Sequence, residues 1–464
     1  MAERPWQKRR LQLWLRHHSP VALPLALLLL VIGGWSLKSA VQWLGRDADS
    51  ASPALRSKLQ GMALESLESV SGPPLRGTLY MGIVIDPDRI LNPEAYGDLN
   101  KRVQSLTNAF RTVHPGVTVQ VQLFRSDSVI PKLKARVRSG LGPDLLVASG
   151  LIAGDLHAMG LSDSVQLTTQ EQQQFHPASL ARLRLPNGRL SGVPLLYFPE
   201  VICFNRSKVK TSPATLEELL QASAEGLRVG LATNPINIYW TAGALGANQA
   251  LVTVMRGKPL QPELRQRLLG WLRWLQSASL QQRVTFYADQ GQVLDDFLHD
   301  RLDWISCSST NFSTLQRQLG PRLGVATMPS GLGGEPTPIS RERVMVLGKG
   351  SSPDQRRIAK AMASFAINPL IQRSMTIGTF SLLPVNRFVP PPVSSSSTLE
   401  ALVESQRQSN ATEPLLDLLH AGDPRLEALA QTLVQLVFGA LSPEAATEAL
   451  IRDLRPLPSL QASR

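Results

Sequence analysis

The sequence predicts a two-lobed α/β protein carried behind an N-terminal membrane anchor. Three observations lead there. With 464 residues the chain is longer than a single core usually grows, since cores stop near ~250–300 residues. Residues 78–148 alternate apolar strand patterns with amphipathic helix patterns, which argues for a parallel sheet covered by helices. The apolar run Leu195–Asn205 is interrupted by Pro199 and the charged Glu200, as expected of a segment that leaves one body and enters another.

Taken in order, residues 1–18 form a basic tail. Seven Lys or Arg against one acid fall within residues 1–46, which accounts for half of the formal net charge of +12. From Ser19 to Leu37 there is no charge, and at ~1.5 Å per residue the run spans roughly 28 Å, about the hydrocarbon thickness of a bilayer. Residues 19–44 are therefore expected to be a transmembrane anchor, with the basic tail cytoplasmic and Trp35 and Trp43 at the far interface. Around Ser36–Ala40 the small-residue spacing of a cleavage site is poor, which favours a retained anchor over a cleaved signal. Residues 45–76 read as a stalk ending at Gly72-Pro73-Pro74.

The body follows. Strand patterns at 78–85, 117–124 and 145–148 enclose helices ending at His114-Pro115-Gly116 and spanning Val129–Ser139. Ligands of such sheets bind outside the carboxyl ends of the strands, which makes the loop beginning at Ser149 a candidate wall. Asn187-Gly188 marks a turn, and Pro194 and Pro199 are expected to break the extended run behind it. Helix patterns follow at Thr215–Ser223, Ile236–Met255 (read as one long helix), Pro262–Ser277 and Gln290–Asp300. Strands are expected at Arg228–Ala232, Trp304–Ser306 and Gly324–Pro329. Ser330–Gly334 is flexible and marks a second crossing. A strand at Val344–Leu347, helices at 354–367 and 369–377, a Pro390-Pro391-Pro392 break and a helical tail complete the chain. This assigns 77–200 with about 329–378 to a first lobe, and 201–328 with about 379–455 to a second.

Cys203 and Cys307 lie far apart without a Cys-x-x-Cys spacing, so they signal neither a zinc site nor a disulfide framework and are expected to be buried small hydrophobes. Asp295, His299 and Asp303 share helical spacing but lack paired histidines, and read as a solvated face rather than a metal site. Gly331–Gly334 lacks the Lys-Ser/Thr of a phosphate loop. No basic patch interleaved with aromatics points to nucleic acid. Candidate ligand contacts are Tyr197 and Glu200 on the first crossing, Ser149, Tyr239 and Trp240 at a helix start, and Asn311 in a polar loop with Ser308 and Ser309.

Several segments, in order, resemble motifs of the extracellular solute-binding proteins of ABC importers, the class that includes sugar and oligosaccharide binders. They are Gly142-Pro143-Asp144-Leu145-Leu146, Gly188–Pro194 with Phe204-Asn205 behind it, Ser212–Leu219, Met328–Gly334, Phe380–Asn386 and Leu441–Ala446; Phe297–Trp304 matches in position only. The resemblance spans about residues 77–455. It implies a type II-like periplasmic-binding-protein fold whose hinge crossings let two lobes close on a small solute, most simply a sugar or polyol. It further implies permease and ATPase partners, a monomeric body outside the cytoplasmic membrane, no cofactor and no catalysis. Rival readings are a sensory ligand-binding domain and an enzyme on the same fold. The cytoplasmic tail is too short for an output domain, and the sequence shows no nucleophile–base constellation.

Overall fold

The computed structural model of the chain describes residues 73–86, 93–420 and 422–456. The anchor expected at 19–44 and the stalk up to residue 72 lie outside these. Among the described residues no helix is long and apolar enough to cross a membrane.

The strands are β1 (Gly77–Ile85), β2 (Val117–Arg125), β3 (Leu145–Ser149), β4 (Ser162–Asp163), β5 (Val193–Phe198), β6 (Glu200–Asn205), β7 (Val229–Ala232), β8 (Val284–Tyr287), β9 (Trp304–Ser308), β10 (Leu323–Ala326), β11 (Arg341–Gly348) and β12 (Leu383–Pro384). They form two sheets. The first has the order β12-β5-β11-β3-β1-β2, with β4 against β11; the second has the order β10-β6-β9-β7-β8. Parallel β1, β2 and β3 are linked by the Pro93–Val113 and Val129–Arg138 helices, the βαβ pattern read from sequence. The Gly-Pro-Asp turn locks this start in place. Asp144 accepts from the Tyr80 backbone N–H at 2.9 Å through its carboxylate and donates its own N–H to the Tyr80 carbonyl at 2.8 Å. Gly348, at the end of β11, lies so near this turn that a Cβ would sit 1.7 Å from the Pro143 carbonyl oxygen, so only glycine fits.

Each lobe buries its own core. In the first, Leu79, Met81, Phe110, Leu145, Val346 and Phe365 are buried, and the Phe110 and Phe365 rings meet edge-on at 5.4 Å. In the second, Trp240, Trp271, Trp304, Leu272, Leu433 and Leu450 belong to one cluster. The buried Trp271 indole N–H donates to Thr241 Oγ1 at 2.8 Å, which satisfies a donor that burial would otherwise penalise. The C-terminal helices Pro424–Val437 and Pro443–Asp453 pack into this second core.

Four sequence expectations need correction. The 236–255 helix is three pieces, Pro235–Ile238, Trp240–Ala244 and Asn248–Met255, because Gly246 turns left-handed at φ +76° between the last two. Pro194 does not interrupt its strand: it lies within β5 beside a register shift opposite Arg343 and Val344, where the ladder tolerates a missing donor. The cysteines are joined, Cys203 to Cys307 with Cα atoms 5.8 Å apart. Antiparallel pairing of β6 with β9 sets Cys203 opposite Ile305 and Cys307 opposite Val201, bringing together two residues 104 apart in sequence. Finally, part of the segment after 379 belongs to the first lobe. β12 pairs β5, and Asn386 donates to Gln174 Oε1 and to the Ile367 carbonyl, each at 2.9 Å.

Three crossings therefore connect the sheets: Pro199 between β5 and β6, residues 327–340 between β10 and β11, and the segment between β12 and the Ser397–Ser409 helix, which contacts β6 and β10.

Candidate functional site between the lobes

The crossings bring strand ends of both sheets to one region. On β11, alternation sends Arg341 and Arg343 to one face and Glu342 to the other. Asp86, at the end of β1, pairs with both arginines, 3.4 Å from Arg341 and in close contact with Arg343. Burial pushes its carboxyl up, but the two guanidiniums outweigh this and hold it below the ordinary range.

Glu342 stands directly opposite Tyr197 in the β11–β5 register. Arg182 approaches its carboxylate at 3.6 Å, and a Cβ on Gly150 would lie 3.2 Å from Glu342 Oε2, so the loop after Ser149 abuts this acid. Burial pushes the Glu342 carboxyl up to about 7, and Arg182 offsets it only in part. Tyr197 is buried and shares a 2.6 Å hydrogen bond with Ser179 Oγ; burial raises its pKa, with the Glu342 charge adding to the effect.

The second lobe answers with amides and hydroxyls. Glu200 is buried at the first residue of β6, where its Oε1 accepts from Asn237 Nδ2 at 2.9 Å. The Ser309 N–H donates to the Pro199 carbonyl at 3.0 Å, which fixes the Ser309–Asn311 turn against the first crossing. Thr310 Oγ1 donates to Ser308 Oγ at 3.0 Å.

Beyond Asn311 the cleft opens into a cavity of about 680 Å³. Asp98, Lys101 and Arg102 of the Pro93–Val113 helix line it on the first-lobe side, Phe312 and Arg317 on the second, and Phe380 beside the third crossing. Arg317 pairs with Asp98 across the opening.

Of the residues chosen from sequence, Tyr197, Glu200 and Asn311 are gathered at the first crossing. Ser149 is at the adjoining strand end, where its Oγ caps the Gly150–Ala158 helix by accepting from the Ile152 N–H at 3.3 Å. Tyr239 and Trp240 are elsewhere: both are 1% exposed and belong to the second-lobe core. The Trp240 ring lies 6.4 Å from that of Trp304, and the Tyr239 hydroxyl bonds Asn248. Their carbonyls instead receive Thr337 of the second crossing, through its hydroxyl at 3.4 Å and its N–H at 3.2 Å. Asp303, grouped from sequence with Asp295 and His299, is not on their helix, which ends at Leu298; it is buried against Arg228 at 2.5 Å.

Sequence reasoning missed Arg182, Glu342 and Arg102. The triplet Arg341-Glu342-Arg343 ahead of the apolar Val344–Leu347 was a usable signal, since charges inside a strand pattern mark a strand end facing a cleft. Arg102 carried none, being one of many cations on an amphipathic helix.

With this geometry in hand, residues 105–401 match the sequence profile described as bacterial extracellular solute-binding protein. Similar solved structures include the GacH receptor of Streptomyces glaucescens GLA.O, solved unliganded and with acarbose. It is 17% identical with a TM-score of 0.65, covering 82% of this chain and 98% of that one. The maltose/maltodextrin-binding domain MalE from Bdellovibrio bacteriovorus, bound to maltotriose, is 14% identical with a TM-score of 0.63 over 84% and 100%. An ABC transporter solute-binding protein from Thermotoga lettingae TMO, bound with alpha-D-tagatose, is 16% identical with a TM-score of 0.61 over 81% and 99%. At such identities the likeness is one of fold. No curated protein matches in sequence.

Proposed function

We propose a function from the premise that this chain belongs to the bacterial extracellular solute-binding protein family. Its body is extracytoplasmic, and the Cys203–Cys307 disulfide suits the oxidising side of a membrane. The protein captures a small solute of the sugar or polyol class between its lobes and hands it to an ABC permease and its ATPase. Residues 19–44 hold the body at the cytoplasmic membrane as a single-pass anchor. One observation carries the reading: a cavity of about 680 Å³ whose walls come from both lobes and from the crossings that join them. A solute contacting both walls binds the closed arrangement better than the open one, and shifts the equilibrium by that difference in affinity. Glu200 and Asn311, beside the first crossing, and Tyr197 and Ser149, on the first-lobe side, adjoin the crossing rather than line the cavity, so their part is in lobe closure around the solute. Tyr239 and Trp240 contribute by anchoring the second crossing.

The test is thermal unfolding of the full-length protein, in detergent, against a panel of sugars, polyols and their acidic derivatives. A ligand at about 100-fold its Kd should stabilise by about 2.7 kcal/mol, a rise of a few degrees. Failure of every panel member to shift the transition overturns solute capture. Affinity purification that returns no permease or ATPase overturns the import role.

A further inference from the structure

The interlobe cavity carries more positive charge than its walls compensate. Among the described residues its charged lining consists of Asp98, Lys101, Arg102 and Arg317, and the one acid among these, Asp98, is engaged by Arg317. Arg102 donates from Nη1 to Ser381 Oγ at 3.1 Å and makes no ion pair among the described residues. Burial pushes its pKa down, and no charged group among the described residues offsets it. A partly desolvated guanidinium without a carboxylate is a costly arrangement for a wall whose only task is to be a wall.

A second observation at the same cavity is independent of charge. Phe380 ends the Pro369–Thr379 helix in the left-handed region at φ 48°, ψ 26°, a conformation that a bulky L-residue adopts against steric resistance. Yet the residue is 42% exposed and lines the cavity. Strain of this kind concentrates at ligand-holding positions. Phe380 adjoins Ser381, the hydrogen-bond partner of Arg102, so the aromatic ring and the uncompensated cation are neighbours.

We propose that the cavity selects an acidic solute: a small sugar or polyol whose carboxylate or phosphate is received by the Arg102 guanidinium with Lys101 beside it, and whose apolar face lies on the Phe380 ring. The planar fork of arginine matches either oxyanion in a bidentate fashion. This rests on the solute-capture reading and narrows its ligand from neutral to anionic sugars.

Titration calorimetry on the full-length protein, at fixed ionic strength, decides it with four probes: D-glucuronate, glucose 6-phosphate, glucose and maltose. At least one acidic probe should bind at least about tenfold more tightly than either neutral one, as charge-assisted hydrogen bonds to an arginine provide. Whichever acid is preferred identifies the oxyanion. Arg102→Met should collapse the acid-to-neutral affinity ratio towards unity, Arg102→Lys should retain part of it, and Lys101→Ala, at an exposed position, should lower it less. Neutral probes binding as tightly as acidic ones, or an unchanged ratio in Arg102→Met and Lys101→Ala, overturns the inference and leaves solute capture standing. Binding of none of the four overturns the inference, and the wider panel then decides the capture reading separately.

Discussion

The first and second crossings do the same topological task with opposite means. Between β5 and β6 the chain changes sheets at the single residue Pro199, and the far side is fastened at once. Cys203 is bonded to Cys307, Ser405 donates to the Glu200 carbonyl, and Ser309 holds the Pro199 carbonyl. Between β10 and β11 the change takes residues 327–340, held to the second lobe at spaced points: Ser330 exchanges backbone bonds with Ala214 and Leu216, Gly333 donates to the Ala244 carbonyl, and Thr337 bonds the Tyr239 and Trp240 carbonyls. Each crossing buries one glutamate, but Glu200 is held by a second-lobe amide and Glu342 by a first-lobe guanidinium. The difference separates a pivot from a strap. One proline has few ways to turn, so lobe rotation about the first crossing is confined to its neighbouring dihedrals, while the longer segment follows.

The largest expected effect tests the fastening of the pivot. Replacing both cysteines by alanine should cost about 2–5 kcal/mol, because the bond closes a loop of roughly a hundred residues. Hydrogen exchange should show protection lost first in β6 and β9, with β3 and β11 unaffected. Equal loss in both sheets would mean that the disulfide staples the whole body rather than one side of the pivot.

Next comes the acid of the strap. Glu342 titrates at about 7 in the folded protein, above its ordinary value, so folding favours its protonated form. Its contribution is fully present below about pH 4.5 and is lost as pH rises through 7, by on the order of 3 kcal/mol. The groups facing it are Arg182, Tyr197 and Glu413, the last opposing its ionisation. Glu342→Gln should flatten the stability profile between pH 5 and 8. Asp86, held low by its arginines, works in the opposite sense at acid pH, so the difference between wild type and variant is the quantity to plot. A variant profile parallel to wild type would show that Glu342 keeps its charge, and that the two glutamates are answered alike.

Much of this architecture was written in local pattern. The β-α-β-α-β start, the Gly-Pro-Asp turn and the change of direction at Pro199 each follow from side-chain period or from proline chemistry, which act over a few residues. What escaped depended on distance. The disulfide needs the β6–β9 register, and the Arg182–Glu342 pair needs Arg182 carried to β11. Tyr239 and Trp240 were misplaced because an aromatic pair at a helix start looks the same whether its rings face a ligand or a core. The break at Gly246 was legible in principle, but the apolar spacing on both sides concealed it. Arg102 became distinctive only once the cavity showed it beside Ser381, with no ion pair among the described residues.

The smallest effect concerns the third crossing, and asks whether it belongs with the pivot or with the strap. If Phe380 holds its left-handed backbone against resistance, glycine there should relieve about 1 kcal/mol that alanine cannot. Comparing Phe380→Gly with Phe380→Ala removes the ring in both, so the loss of its buried part cancels and the backbone remains. Glycine gives the unfolded chain more freedom, which works against it; a more stable glycine variant would therefore understate the strain. Both variants should lose acidic-sugar affinity to a similar degree, since neither offers a ring. An alanine variant more stable than the glycine one by about 1 kcal/mol, the ordinary difference in helical backbone, would place Phe380 in such backbone in solution. The segment after it would then start from a relaxed helix end, as a passive strap does, instead of from a residue pinned in place to face the solute.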